Sequence, residues 1–178
     1  MPDNFHYSQF FPYPQIREEQ TQAIDFALDA FINQKKKFVI IEAGTGVGKS
    51  AVGYTLAKYL NSQALKPESK YEAGSYFITT QKILQEQYIN DFGSGPRPMR
   101  SIKSSSNYKC SYNKKNSCGE SQRLLKVADK KSPFFKACTF NCNYKKAKEQ
   151  FIEAGEGVSN FSYFLAETYY SGKIKPRD

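Results

Sequence analysis

The run Glu42-Ala-Gly-Thr-Gly-Val-Gly-Lys-Ser50 limits what this chain can become more than any other stretch. A short β-branched run, Phe38-Val-Ile-Ile41, precedes it, and Ser50 to Leu60 then places Val52, Leu56, Tyr59 and Leu60 on one helical face. Strand, glycine-rich turn and helix in that order form an anion nest at a helix N-terminus. Gly46 and Gly48 let the backbone approach a phosphate with no side chain between, although Ala43 stands where the general pattern has its first glycine. Gly44, Thr45, Gly46, Val47 and Gly48 would cradle the phosphates, Lys49 would neutralise the β and γ positions, and the Ser50 hydroxyl would ligate Mg²⁺. The expected ligand is a nucleoside triphosphate, ATP with Mg²⁺. The alternative, a glycine-rich turn with no ligand, does not account for the Lys-Ser pair.

The order of elements around this motif is that of an α/β domain. Arg17 to Asn33 sets Ala23, Ile24, Ala27, Leu28, Phe31 and Ile32 on one helical face, which Lys35 to Lys37 ends. Phe38 to Ile41 reads as a strand covered on both faces of a parallel sheet. Lys66 to Gly74 is a polar connection, Tyr76-Phe-Ile78 a second buried strand, and Gln81 to about Asn90 a helix. Alternating strands and helices imply parallel pairing with right-handed crossovers. Gly93 to Pro98 breaks the pattern, and periodicity fades until Tyr144 to Ala154. The division read from this is 1–96 as the first part of the domain, 97–143 as a cysteine-rich insertion, and 144–178 as the return.

The 178 residues carry a net charge of +9, and the excess is local. From Arg97 to Gln150 fourteen Lys or Arg face three acidic residues, leaving +11, while the rest holds twelve basic and fourteen acidic residues. Clustered basic charge is the footprint of a polyanion-binding surface, a solvated lysine-rich face being the alternative. Tyr108, Tyr112, Phe134, Phe135, Phe140 and Tyr144 interleave with the charge, as in a single-strand channel where cations pair with phosphates and bases stack on rings. Core packing is the other reading, strongest for Phe134 and Phe135. Tyr108 and Tyr112 are the better stacking candidates.

All four cysteines, Cys110, Cys118, Cys138 and Cys142, lie in the same segment. No membrane-length apolar span and no signal-peptide pattern is visible, so the expected compartment is the cytoplasm, where thiols stay reduced. Four such cysteines read as ligands: of a [4Fe-4S] cluster, of zinc, for which a close Cys-x-x-Cys knuckle is missing, or as buried free thiols.

Glu42 to Ser50 resembles the first motif of superfamily 2 helicases of the iron-sulfur XPD/DinG family. Phe11-Pro-Tyr-Pro and Arg17-Glu-Glu-Gln20 are similar to that family's adenine-side motif, with Arg17 and Gln20 on one helical face and Gln20 placed to read the adenine edge. Ile78-Thr-Thr-Gln81 resembles its strand-to-helix contact with the DNA backbone, which implies Thr80 and Gln81 as DNA contacts. Lys103 and Asn107-Tyr108-Lys109-Cys110 look like the approach to the first cluster ligand, and Val158 to Leu165 like the segment after the last. Ser104 and Ser105 replace a glycine and an arginine of the family, and Asn143 a frequent proline. The resemblance raises the [4Fe-4S] reading above zinc and implies 5′ to 3′ travel on single-stranded DNA.

A helicase motor also needs an Asp-Glu pair to hold Mg²⁺ and position water, and no Asp-Glu dipeptide occurs in the chain. The reading is therefore a partial P-loop (RecA-like) α/β motor domain with a cluster insertion: the front part of an ATP-dependent DNA helicase, partnered by a C-terminal motor region and inactive alone. A non-enzymatic nucleic-acid-binding module with a structural or sensory cluster is the rival. A P-loop kinase or GTPase would leave the cysteine insertion unexplained.

Overall fold

The computed structural model describes residues 5–63, 71–94 and 98–177, which fall into two compact units divided after Ala73. Most of the polar connection at Lys66 to Gly74, and residues 95–97 of the breaker cluster, lie outside the described residues.

In the first unit, α1 (Glu18–Leu28) continues as a π-helical turn, Asp29–Asn33, and Lys35 follows with a positive φ of 56° that stops the helix. Ile24, Ala27 and Leu28 are buried on the face that the apolar spacing specified. Ile24 and Leu28 meet Ala51 and Val52 of α2 (Lys49–Gln63), with Leu56, Tyr59 and Leu60 packed at the margin. Tyr7 and Phe11, ahead of the first helix, complete this core. Each fully buried side chain of this size stabilises the unit by roughly 1.5–3 kcal/mol.

The strand expected at Phe38 to Ile41 is not formed. Phe38 is 85% and Ile40 90% exposed, and the segment belongs to no sheet. A β-branched run becomes a strand only when a neighbouring backbone takes up its N–H and C=O groups, and no such partner exists among the described residues.

The second unit, Gly74–Arg177, is built on three parallel strands: β1 (Ser75–Thr79), β2 (Arg100–Ile102) and β3 (Glu156–Asn160), in the order β1-β3-β2. β1 confirms the strand read at Tyr76 to Ile78, though its face is half-buried and Ile78 is 38% exposed. The helix read from Gln81 is α3 (Lys82–Phe92). β3 was not foreseen as a strand; Glu156, Gly157, Val158 and Ser159 are all buried because it is central. Gly157 is required there, since a Cβ would meet the Phe151 ring at 2.5 Å.

The segment without periodicity contributes β2 and two short helices, α4 (Cys118–Leu125) and α5 (Pro133–Phe140). Their starts are legible afterwards. Ser117 and Glu120 cap each other reciprocally, and Ser132 caps α5 with Pro133 in the first turn. The helix read at Tyr144 is α6 (Asn143–Glu153), and Asn160 caps α7 (Phe161–Ala166) by accepting from the Tyr163 N–H at 2.8 Å.

Candidate functional site

Backbone conformation builds the phosphate loop. Gly46 and Gly48 have φ of 84° and 81°, in the left-handed region that other residues enter only at a cost, and α2 begins at the next residue, Lys49. Lys49 Nζ donates to the carbonyls of Ala43 (3.0 Å) and Gly44 (2.7 Å), so the ammonium already lies across the loop. Ser50 stands in the first turn of α2. Arg17 and Gln20 come from the start of α1 onto the same loop. Arg17 Nη1 donates to Gly46 O at 3.3 Å, and the buried Gln20 Nε2 donates to Val47 O at 2.9 Å.

Gln20 Oε1 accepts from the Arg17 backbone N–H at 3.0 Å, so both ends of the amide are engaged within the protein. Its first duty is to latch helix to loop; reading an adenine edge requires it to exchange the Val47 carbonyl for the base. A Cβ at Gly48 would collide with the Gln20 amide nitrogen, a second reason for glycine there. Beside the loop lies a cavity of about 450 Å³, lined by Gln20, Ala23, Ile41, Gly44, Lys49 and Val52 among others. Apolar walls with a few polar groups suit a heterocyclic base beside a phosphate nest.

In the second unit, the parallel register brings the carboxyl ends of the strands to one edge, the edge at which open α/β sheets bind ligands. Thr80 and Gln81 follow β1 and Lys103 follows β2, so three of the five expected DNA contacts share that edge. Thr80 and Gln81 are exposed, and Lys103 Nζ pairs with Glu86 at 2.6 Å. Tyr108 is placed differently: its ring packs on the core beside Tyr144, its hydroxyl accepts from the Lys103 N–H at 3.2 Å, and burial raises its pKa. Tyr112 is 53% exposed, 5.6 Å from the Phe134 ring.

All four cysteines are buried and reduced. A short antiparallel bridge between Lys109 and Ser117 brings the first two together, with Cys110 N–H donating to Asn116 O and Cys118 N–H to Tyr108 O. Cys110 contacts Cys138, and Cys118 contacts Cys142. Among the described residues no group of three or more His, Cys, Asp or Glu converges to hold a metal ion. Cys138 also lies within electrostatic reach of Cys118 and Cys142, and Cys118 of Cys110. Burial pushes the Cys138 thiol up to about 11, and the neighbouring Cys110 adds to this. At Cys110 burial is outweighed by the Ser121 hydroxyl and the N–H groups of Asn113 and Tyr112, so its pKa is lowered.

Next to this centre, Tyr144 donates to Glu167 at 3.1 Å and shares a 2.8 Å hydrogen bond with Tyr163, while Lys148 pairs with Glu167. Burial outranks the neighbouring charges in raising Tyr144 to about 12. No residue spacing announces this network, because its members come from α6, from α7 and from the turn after it.

The positive-φ glycines, the Lys-Ser start of α2 and the parallel sheet of the other unit define an α/β protein of the P-loop class. The sequence model of the type III restriction enzyme res subunit matches residues 13–161, and the chain belongs to that family, which lies in the N-terminal, helicase-type ATP hydrolase region of superfamily 2. No curated protein and no solved structure matches the chain significantly. Among the described residues no helix is long and apolar enough to cross a membrane.

Proposed function

We propose that the chain is the nucleotide-gripping N-terminal part of an ATP-dependent DNA helicase of the iron-sulfur XPD/DinG branch. The observation that carries the first half is the Gln20 latch: a helix-borne glutamine bonded to Val47 of a glycine loop, beside a base-sized cavity. In this reading Gly44 to Gly48 hold phosphate through backbone N–H groups, and Lys49 leaves the Ala43 and Gly44 carbonyls to pair with the β and γ oxygens. Ser50 takes the Mg²⁺ ligand role. No Asp-Glu pair is present to orient water, so the chain by itself binds nucleotide without turnover. Calorimetry with a non-hydrolysable ATP analogue tests the grip: wild type binds and Lys49→Ala does not. Equal binding by both overturns it. A phosphate-release assay with saturating single-stranded DNA is expected to stay at the Lys49→Ala background.

The cysteine centre supports the iron-sulfur half of the proposal. Its donor set is four buried sulfurs with no nitrogen or carboxylate among them, drawn from a segment otherwise poor in core. Thiols must lose their protons to ligate, so binding at this set releases protons. Cys110, Cys118, Cys138 and Cys142 would hold a [4Fe-4S] cluster, which when bound acts as a structural staple and an electron store. Anaerobically purified protein is then brown with about four irons per chain. Colourless protein with stoichiometric zinc overturns this half alone. Single-stranded DNA is assigned to the +11 segment and the carboxyl edge of the sheet, through Thr80, Gln81 and Lys103.

A further inference from the structure

We infer that Phe140 is a base-stacking platform for single-stranded nucleic acid, at the turn from α5 to α6 where the residues on either side of it each hold a lysine ammonium. This rests on the single-strand reading above and names the ring that reading needs. Of the aromatics interleaved with the basic segment, Tyr144 is buried, Tyr108 packs against it, Phe134 and Phe135 are half-buried, and Tyr112, 53% exposed, leans on the Phe134 ring. Phe140 is 80% exposed. It is the last residue of α5, between the buried Cys138 and Cys142, so the backbone on either side is anchored inward while the ring stands in water.

Its surroundings are arranged. Lys145 Nζ reaches back to the Thr139 carbonyl at 3.3 Å, and Lys146 Nζ to Asn141 Oδ1 at 2.5 Å. Ser111 bonds the Asn141 carbonyl and thereby ties the Tyr112 loop to the same turn. Two ammonium groups are thus held at residues 139 and 141, immediately before and after the ring. Each keeps further N–H donors for a phosphate. Cations held on the residues that flank an exposed ring in the chain provide the pair of contacts that a nucleotide takes, a cation for its phosphate and a π-face for a base of either class. Tyr169 and Tyr170 are as exposed, at 83% and 84%, but lie outside the +11 segment, so exposure alone does not select them. An acidic protein surface would use the lysines and gain little from the ring, whereas a single strand uses both.

The test is fluorescence anisotropy on the whole chain with two probes of equal length, an oligothymidine and the same backbone with abasic residues. Wild type is expected to favour the oligothymidine, and Phe140→Ala to weaken it on the order of 5- to 100-fold, leaving the abasic probe unchanged. Phe140→Trp retains the preference and Phe140→Leu, which keeps apolar bulk without the ring, loses it. Lys146→Gln lowers the slope of log affinity against log salt by roughly 0.7, as for one phosphate of a single strand. Equal affinity of wild type and Phe140→Leu for oligothymidine overturns the platform and leaves single-strand binding standing, as does equal binding of both probes by wild type. Absence of binding to either probe overturns the single-strand reading together with it.

Discussion

The phosphate loop and the cysteine centre reach their geometry by opposite routes. Gly44 to Ser50 is one uninterrupted stretch, and its shape follows from local backbone preferences: two glycines at positive φ, then a helix start. Only Gln20 and Arg17 come from elsewhere, and they brace a loop already specified. The cysteine centre has four members over thirty-three residues, and three separate devices assemble it: the Lys109–Ser117 bridge, the Ser117 cap of α4 and the Ser132 cap of α5. A contiguous site is robust to loss of distant contacts. A dispersed one is only as stable as the contacts that gather it.

The sharpest test of that difference is removal of one sulfur. If the four sulfurs hold the proposed cluster, Cys110→Ser or Cys142→Ser is expected to release it and to loosen the second unit as a whole, seen as lost iron and a large drop in the unfolding midpoint, with nucleotide binding assigned to the first unit retained. If the serine variants keep their iron and midpoint, the centre is not what gathers that segment.

A smaller loss is expected at the contiguous site from Gly48→Ala. The substitution forces an L side chain to φ 81° and drives its Cβ into the Gln20 amide, so roughly 1–3 kcal/mol of stability is lost in denaturant titration. Coupling it with Gln20→Ala separates the two causes. The double variant recovers the collision and keeps the backbone strain, so its loss is less than the sum of the singles.

The smallest effect is a titration beside the cysteine centre. Burial raises the Glu167 carboxyl, but its bonds to Lys148 and Ser171 outweigh that and hold its pKa below the ordinary carboxylate value. A group depressed in the folded state contributes stability above its unfolded pKa and loses it as pH falls through the folded one. Wild type therefore loses more stability than Glu167→Gln on acidification below about pH 4.3. Parallel acid melts of the two show the pair to be idle.

The first helix, α2 and α6 were legible because each shows a periodic apolar face, which chain geometry alone sets, and β1 because it is a short apolar run, with α3 read as the helix that follows it. The glycine loop was legible for the same kind of reason, since φ > 0 is a property of single residues. Where the sequence misled, pairing or packing decided. Phe38 to Ile41 has strand composition, yet a strand is a relation between two backbones. Glu156-Gly-Val-Ser-Asn160 has poor strand composition and is the central strand, because β1 and β2 both pair with it and Phe151 needs the space above Gly157. Tyr108 and Phe140 look alike as rings beside lysines in the sequence. Only the fold turned Tyr108 inward against Tyr144 and left Phe140 in solvent, since burial of a ring depends on what the rest of the chain brings to its other side.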